Sequence, residues 1–132
     1  MTRTDTLEFH DSEVSSLGLE GPHFVVRFSA GHVYRGDEQP GPGGSAGFLQ
    51  SLELVCLNPS EVQQDAGCIG KLLQGGLHVA GATLGRVPIP YAAEAKVELE
   101  LAFSNGATCR VVAHGVVLKP RGEARFVESF KC

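Results

Sequence analysis

Residues 95–103 constrain the fold more than any other stretch. Val97, Leu99, Leu101 and Phe103 alternate with Lys96, Glu98 and Glu100, a period of two that suits a strand with one buried and one wet face. Ser104-Asn105-Gly106 follows, and residues 107–118 read as the antiparallel partner. A two-residue Asn105-Gly106 turn would set Leu101 opposite Arg110 and Val97 opposite His114, which puts charge on the apolar face. A three-residue loop with Gly106 at positive φ instead pairs Leu101 with Cys109, Leu99 with Val111 and Val97 with Ala113. It also sets Glu100 opposite Arg110 on the wet side. The second register is therefore expected. On it, Cys109, Val111 and Ala113 face the core while Val112, Val116 and Leu118 form a second apolar face. That face needs cover from a loop, another sheet or another subunit, with a homodimer as the commonest form of self-association.

The rest of the chain repeats the pattern on a shorter scale. Seventeen glycines and seven prolines are spread along the length between short runs rich in Val, Leu and Phe, as in sheets joined by tight turns. Strands are expected over residues 14–19, 24–29, 32–35, 48–57, 77–79, 82–84 and 124–130. Val87-Pro88-Ile89-Pro90 belongs at an edge or in an extended connector, because proline donates nothing to a ladder. Residues 35–46 form a long polar loop. Ser60 and Gln63 make a capping-box pattern after Pro59, with Gly67 as a stop, so residues 60–67 are the one short helix expected. The expectation is a single all-β domain over residues 1–132. It is an antiparallel meander of about eight or nine short strands, forming a barrel or a sandwich.

Composition narrows the function classes. Hydrophobic residues make up 42% and charged residues 20%, which removes disorder from consideration. The net charge of −4 and sparse basic clustering (Arg110, Lys119, Arg121, Arg125) argue against a nucleic-acid partner. No apolar run is long enough for a transmembrane helix, so no membrane partner is expected. The first ten residues lack the apolar stretch of a secretory signal, and a cytoplasmic address is the expectation. Cys56, Cys68, Cys109 and Cys132 form no Cys-x-x-Cys pair and read as plain thiols. His23, His32, His78 and His114 stand at no metal-binding spacing, so neither metal nor cofactor is expected. Gly41-Pro42-Gly43-Gly44-Ser45-Ala46 and Gly70-Lys71 lack the context of phosphate-binding loops, and no nucleophile elbow is present.

Two places carry the candidate ligand-binding residues, His10, Asp11, Glu13 and Glu128. Leu7 and Phe9 share parity with Leu17 and Leu19, so unbroken alternation would send Asp11 and Glu13 inward. A bulge, a polar site or an exposed strand start would each resolve this. His10 beside Asp11 is also raw material for acid–base chemistry. Glu128 shares one face with Phe126 and Phe130, which puts it at a rim, in an ion pair or in a site. Terminal strands of small closed sheets often neighbour each other, so His10 and Glu128 are expected to approach. The segments Phe9-His10-Asp11-Ser12-Glu13, Val87-Pro88-Ile89-Pro90 and Phe126-Val127-Glu128-Ser129-Phe130 resemble the outline of small bacterial all-β proteins of unknown function. That resemblance implies a compact all-β fold and supplies no catalytic residues to carry over. The leading expectation is a non-catalytic binding or protein-interaction domain whose partner is a protein or a small ligand. The alternative is a small barrel with an internal ligand pocket, or an enzyme using His10, Asp11 and Glu128.

Overall fold

The computed structural model describes residues 4–36, 46–121 and 125–129, and every regular element among them is a strand. Three long strands come first: β1 (Thr4–Glu20), β2 (His23–Gly36) and β3 (Ala46–Leu57). Short ones follow: β4 (Glu61–Gln64), β5 (Gly70–Val79), β6 (Ala82–Leu84), β7 (Arg86–Ile89) and β8 (Tyr91–Ala93). The last four are β9 (Val97–Phe103), β10 (Thr108–Ala113), β11 (Val116–Pro120) and β12 (Arg125–Ser129). All pairings are antiparallel, along the path β4-β10-β9-β5-β1-β2-β3-β11-β8, with β12 beside β3, β6 beside β5 and β7 beside β1. The path ends at β4 and β8 without closing, so the fold is a sandwich-like double layer and not a barrel.

The two layers meet where β1 changes neighbours. Asp5–Glu8 pair with β7, whereas only Glu13 and Val14 pair with β5. The first layer is therefore β7-β1-β2-β3-β11-β8, and the second is β6-β5-β9-β10-β4. Leu7, Phe9, Phe24, Val26, Phe28, Leu52 and Leu54 from the first face Leu72, Leu77, Leu99, Leu101, Phe103 and Val111 from the second, in one buried cluster. At ~1.5–3 kcal/mol for each large apolar side chain removed from water, this shared interior is what holds the layers together.

The β9–β10 hairpin has the expected register, with Leu101 opposite Cys109, Leu99 opposite Val111 and Val97 opposite Ala113. Gly106 has φ +93°, and Asn105 Oδ1 accepts the Ala107 N–H at 2.9 Å. Val87-Pro88-Ile89 lies in β7, beside β1, with Val87 buried. Three expectations are corrected. Residues 61–64 form an edge strand on β10, not a helix. Two helical turns are marginal alone, while the ladder gives Glu61–Gln64 four paired residues, and Asp65 Oδ2 takes the Thr108 N–H and hydroxyl, both at 3.0 Å. Residues 107–118 are two strands, because the chain crosses from the second layer to the first at His114-Gly115. Leu57 N–H donates to Gly115 O at 2.8 Å and His114 N–H to Leu57 O at 2.9 Å, which fixes that crossing. Val116 and Leu118 are consequently fully buried in the common interior and form no second apolar face. Finally, β12 pairs with β3, so β2 and β3 stand between it and β1.

Of the loop expected over residues 35–46, Arg35 and Gly36 instead end β2 and Ala46 begins β3, while residues 37–45 lie outside the described residues, as does Cys132. Cys56, Cys68 and Cys109 are buried free thiols. Among the described residues, no helix is long and apolar enough to cross a membrane.

Candidate functional site

The His10-Asp11-Ser12-Glu13 segment is a bulge. Between the Glu8–His32 and Glu13–Ala30 pairs, β1 carries Phe9, His10, Asp11 and Ser12 against the single residue Gly31 of β2. The excess reverses the phase of the strand, so Phe9 and then Ser12 and Val14 point inward, and Asp11 and Glu13 reach solvent. Asp11 takes the left-handed conformation at φ +69°, which aspartate tolerates better than most residues. Ser12 closes the loop: its hydroxyl donates to Glu8 O at 2.6 Å and accepts the His32 N–H at 2.8 Å. His10 Nδ1 lies 3.3 Å from Asp11 Oδ2, and Lys71 Nζ lies 3.3 Å from Asp11 Oδ1. Three of the four candidate residues thus share one bulge, on the surface and beside Lys71. The side chain of Glu128 lies outside the described residues.

A second constellation, on the outer face of the second layer, was not singled out from the sequence. Arg110 pairs in register with Gln63 on one side and Glu100 on the other, and Glu100 pairs with Gly76, so these four form one row across β4, β10, β9 and β5. Thr108, Ala102 and Gln74 form the next row. Gly76 and Ala102 present almost no side chain, and the longer neighbours stand around them as walls. The result is an open depression of about 460 Å³ lined by Gln63, Gln74, Gly76, Glu100, Thr108 and Arg110, among others. That volume lies within the ~300–1,000 Å³ range of small-molecule sites.

The walls are held by charge pairs. Arg110 donates to Glu98 at 2.6 Å and to Glu61 at 3.0 Å. Those contacts, the Glu98 hydrogen bond first, hold the guanidinium even more firmly protonated than a free arginine. His78 sits between Glu100, 3.0 Å from Nε2, and the Thr83 hydroxyl, 2.8 Å from Nδ1. A carboxylate only accepts, so neutral His78 carries its proton on Nε2 and accepts from Thr83. The amides of Gln63 and Gln74 make no side-chain hydrogen bond among the described residues and remain available to a ligand.

One local signal foreshadows this site. Glycine inside a strand often marks a close approach of another group, and Gly75-Gly76 does both things a glycine pair can. A Cβ on Gly75 would meet Phe9 Cβ at 2.8 Å, whereas one on Gly76 would have only His78 Nε2 at 3.7 Å nearby. Among the described residues, no group of His, Cys, Asp and Glu is arranged to hold a metal ion. No family model, curated protein or solved structure matches the chain.

Proposed function

We propose that the protein is a non-catalytic binding domain and that its ligand, a small polar molecule, occupies the depression over Gly76 and Ala102. The observation that carries this reading is the combination of an empty floor with unspent polar walls. Gln63 and Gln74 offer amides, Glu100 keeps one carboxylate oxygen unengaged among the described residues, and the ion pairs of Arg110 fix the frame without closing the space. Walls set in advance by their own hydrogen bonds lose little freedom when a ligand arrives. A protein partner inserting one polar side chain would use the same groups. The buried thiols accord with a cytoplasmic address as part of the proposal.

The test is an amide-resolved NMR titration against a library of small polar compounds. Binding is expected to shift Gly75, Gly76, Ala102 and Thr108 together, and Gly76→Leu, which fills the floor, is expected to abolish those shifts. A hit that instead moves the bulge amides at residues 9–13, or binds Gly76→Leu unchanged, would transfer the site elsewhere. The second reading, an enzyme using His10, Asp11 and Glu128, has the His10–Asp11 contact in its support; it requires an activity that His10→Ala removes. Self-association through Val112, Val116 and Leu118 loses its motive, since Val116 and Leu118 face the interior.

A further inference from the structure

We infer that the depression selects ligands carrying a protonated amine and turns away anions, although an arginine lines it. This rests on the depression being the binding site. An arginine in a polar pocket ordinarily suggests a carboxylate or phosphate ligand, because its planar fork matches two anionic oxygens. Arg110 is already engaged in that way: one terminal nitrogen is hydrogen-bonded to Glu98 and the other to Glu61. Those two bonds use two of the five guanidinium N–H donors, so what turns an anion away is charge: it would approach a guanidinium already balanced by Glu98 and Glu61 and would meet both carboxylates and Glu100 on arrival. The cation of the pocket is thus already neutralised and serves as a strut.

The groups left facing the space are of the opposite character. Glu100 lines the depression, and among the described residues its only partner is His78, on Oε1 at 3.0 Å, which leaves Oε2 to accept from a ligand. The carbonyl ends of Gln63 and Gln74 add neutral acceptors at the two sides. An ammonium brings three donors and no acceptor, so it matches such a set and gains from the charge of Glu100. The remaining charges on this face are Asp65, Glu61 and Glu98 against Arg110, with Lys96 at the far end of β9 and Lys71, itself paired with Asp11, at the start of β5. Their sum keeps the local potential negative, which raises the concentration of cations at the mouth of the depression. The size suits a linear polyamine or an amino sugar better than a bare metal ion.

Isothermal titration with spermidine, glucose and citrate tests the charge class. Spermidine is expected to bind saturably at one site, glucose weakly, and citrate not at all. Glu100→Gln keeps the shape and removes the charge, and it should weaken spermidine by about tenfold or more, the scale of one charge-assisted hydrogen bond. Glu94→Gln, an exposed acid between β8 and β9, should leave the affinity unchanged and so excludes a general polyanion effect. Both substitutions replace exposed side chains, and unchanged melting curves would confirm intact folds. Citrate binding to the wild type, absence of spermidine binding, or equal affinity of wild type and Glu100→Gln would each overturn the amine preference. Gly76→Leu separates the two levels. If citrate binds the wild type, or glucose binds it more tightly than spermidine, and that binding is lost in Gly76→Leu, the depression is the site and only the charge class is wrong. If spermidine binds Gly76→Leu as tightly as wild type, the site itself is misplaced.

Discussion

The bulge at Phe9–Ser12 and the depression over Gly76 both gather polar side chains around a glycine, but they use them differently. At the bulge the key polar group is consumed by the fold: the Ser12 hydroxyl is fully buried and bonded on both sides, to Glu8 O and the His32 N–H. Opposite it, Gly31 has no room for a Cβ, which would lie 2.6 Å from Leu52 Cδ1. At the depression the charged groups are partnered among themselves, the amides are not among the described residues, and Gly76 leaves a hollow. Unusual residues in sequence mark both regions. Only the accounting of hydrogen bonds separates a device that shapes a strand from one with capacity left over.

Phe9 anchors the bulge, packing against the Cβ position of Gly75 and lying 6.4 Å from the Phe28 ring centre. Phe9→Ala should be the most damaging change, at about 3–5 kcal/mol for a fully buried phenylalanine, read by chemical denaturation. If it costs less than the changes below, the bulge is not an anchored feature. Ser12→Ala should cost about 1–3 kcal/mol, because it removes the fully buried hydroxyl that bonds Glu8 O and the part-buried His32 N–H. The same measurement on Ser15→Ala, whose hydroxyl is exposed and donates to Arg27 O at 3.2 Å, should show a much smaller loss. Gly75→Ala should cost about 1–3 kcal/mol by overpacking Phe9, while its neighbour Gly76→Ala should stay within about 0.5 kcal/mol. Equal effects at the two glycines would erase the distinction between an interior and an exterior role.

The smallest effect at neutral pH comes from two buried thiols, Cys109 in the lining of the depression and Cys56 on β3. Burial, with a lesser contribution from a neighbouring thiol, pushes Cys56 and Cys109 up to about 12. A folded-state value above the ordinary 9 means the unfolded chain loses its proton first as pH rises. Stability is therefore unaffected below about pH 9 and falls between there and pH 12. Denaturation curves at pH 8 and pH 11 should diverge for wild type and less so for a Cys56→Ala, Cys109→Ala double variant. Native protein should also react slowly with thiol reagents at pH 8 at both positions.

Local side-chain alternation made the hairpin legible down to its register, because a one-residue slip would have moved Arg110 and His114 onto the apolar face. The bulge was legible as one of several solutions, since Asp11 and Glu13 conflicted with the parity of Leu7 and Phe9. Three features needed information from distant parts of the chain. Residues 60–67 carry a sound helix-start pattern, yet the outcome depends on an unfilled edge of β10, which their own composition does not announce. The crossing at His114-Gly115 depends on Leu57, and without it Val116 and Leu118 read as surface. The depression required knowing that Gln63, Arg110, Glu100 and Gly76 fall in one row, a fact about three pairings at once. Each residue alone looks like ordinary solvated surface.

Gly75 and Gly76 are successive links of one extended segment, and successive links look to opposite sides. The first is answerable to the aromatic ring behind it; the second answers only to whatever arrives from outside. Mutation can therefore resize the cup in single steps, from glycine to alanine to serine and beyond, with no compensating change on the far side. On the binding role proposed above, a lineage carrying this scaffold is free to change its ligand while keeping the architecture it inherited.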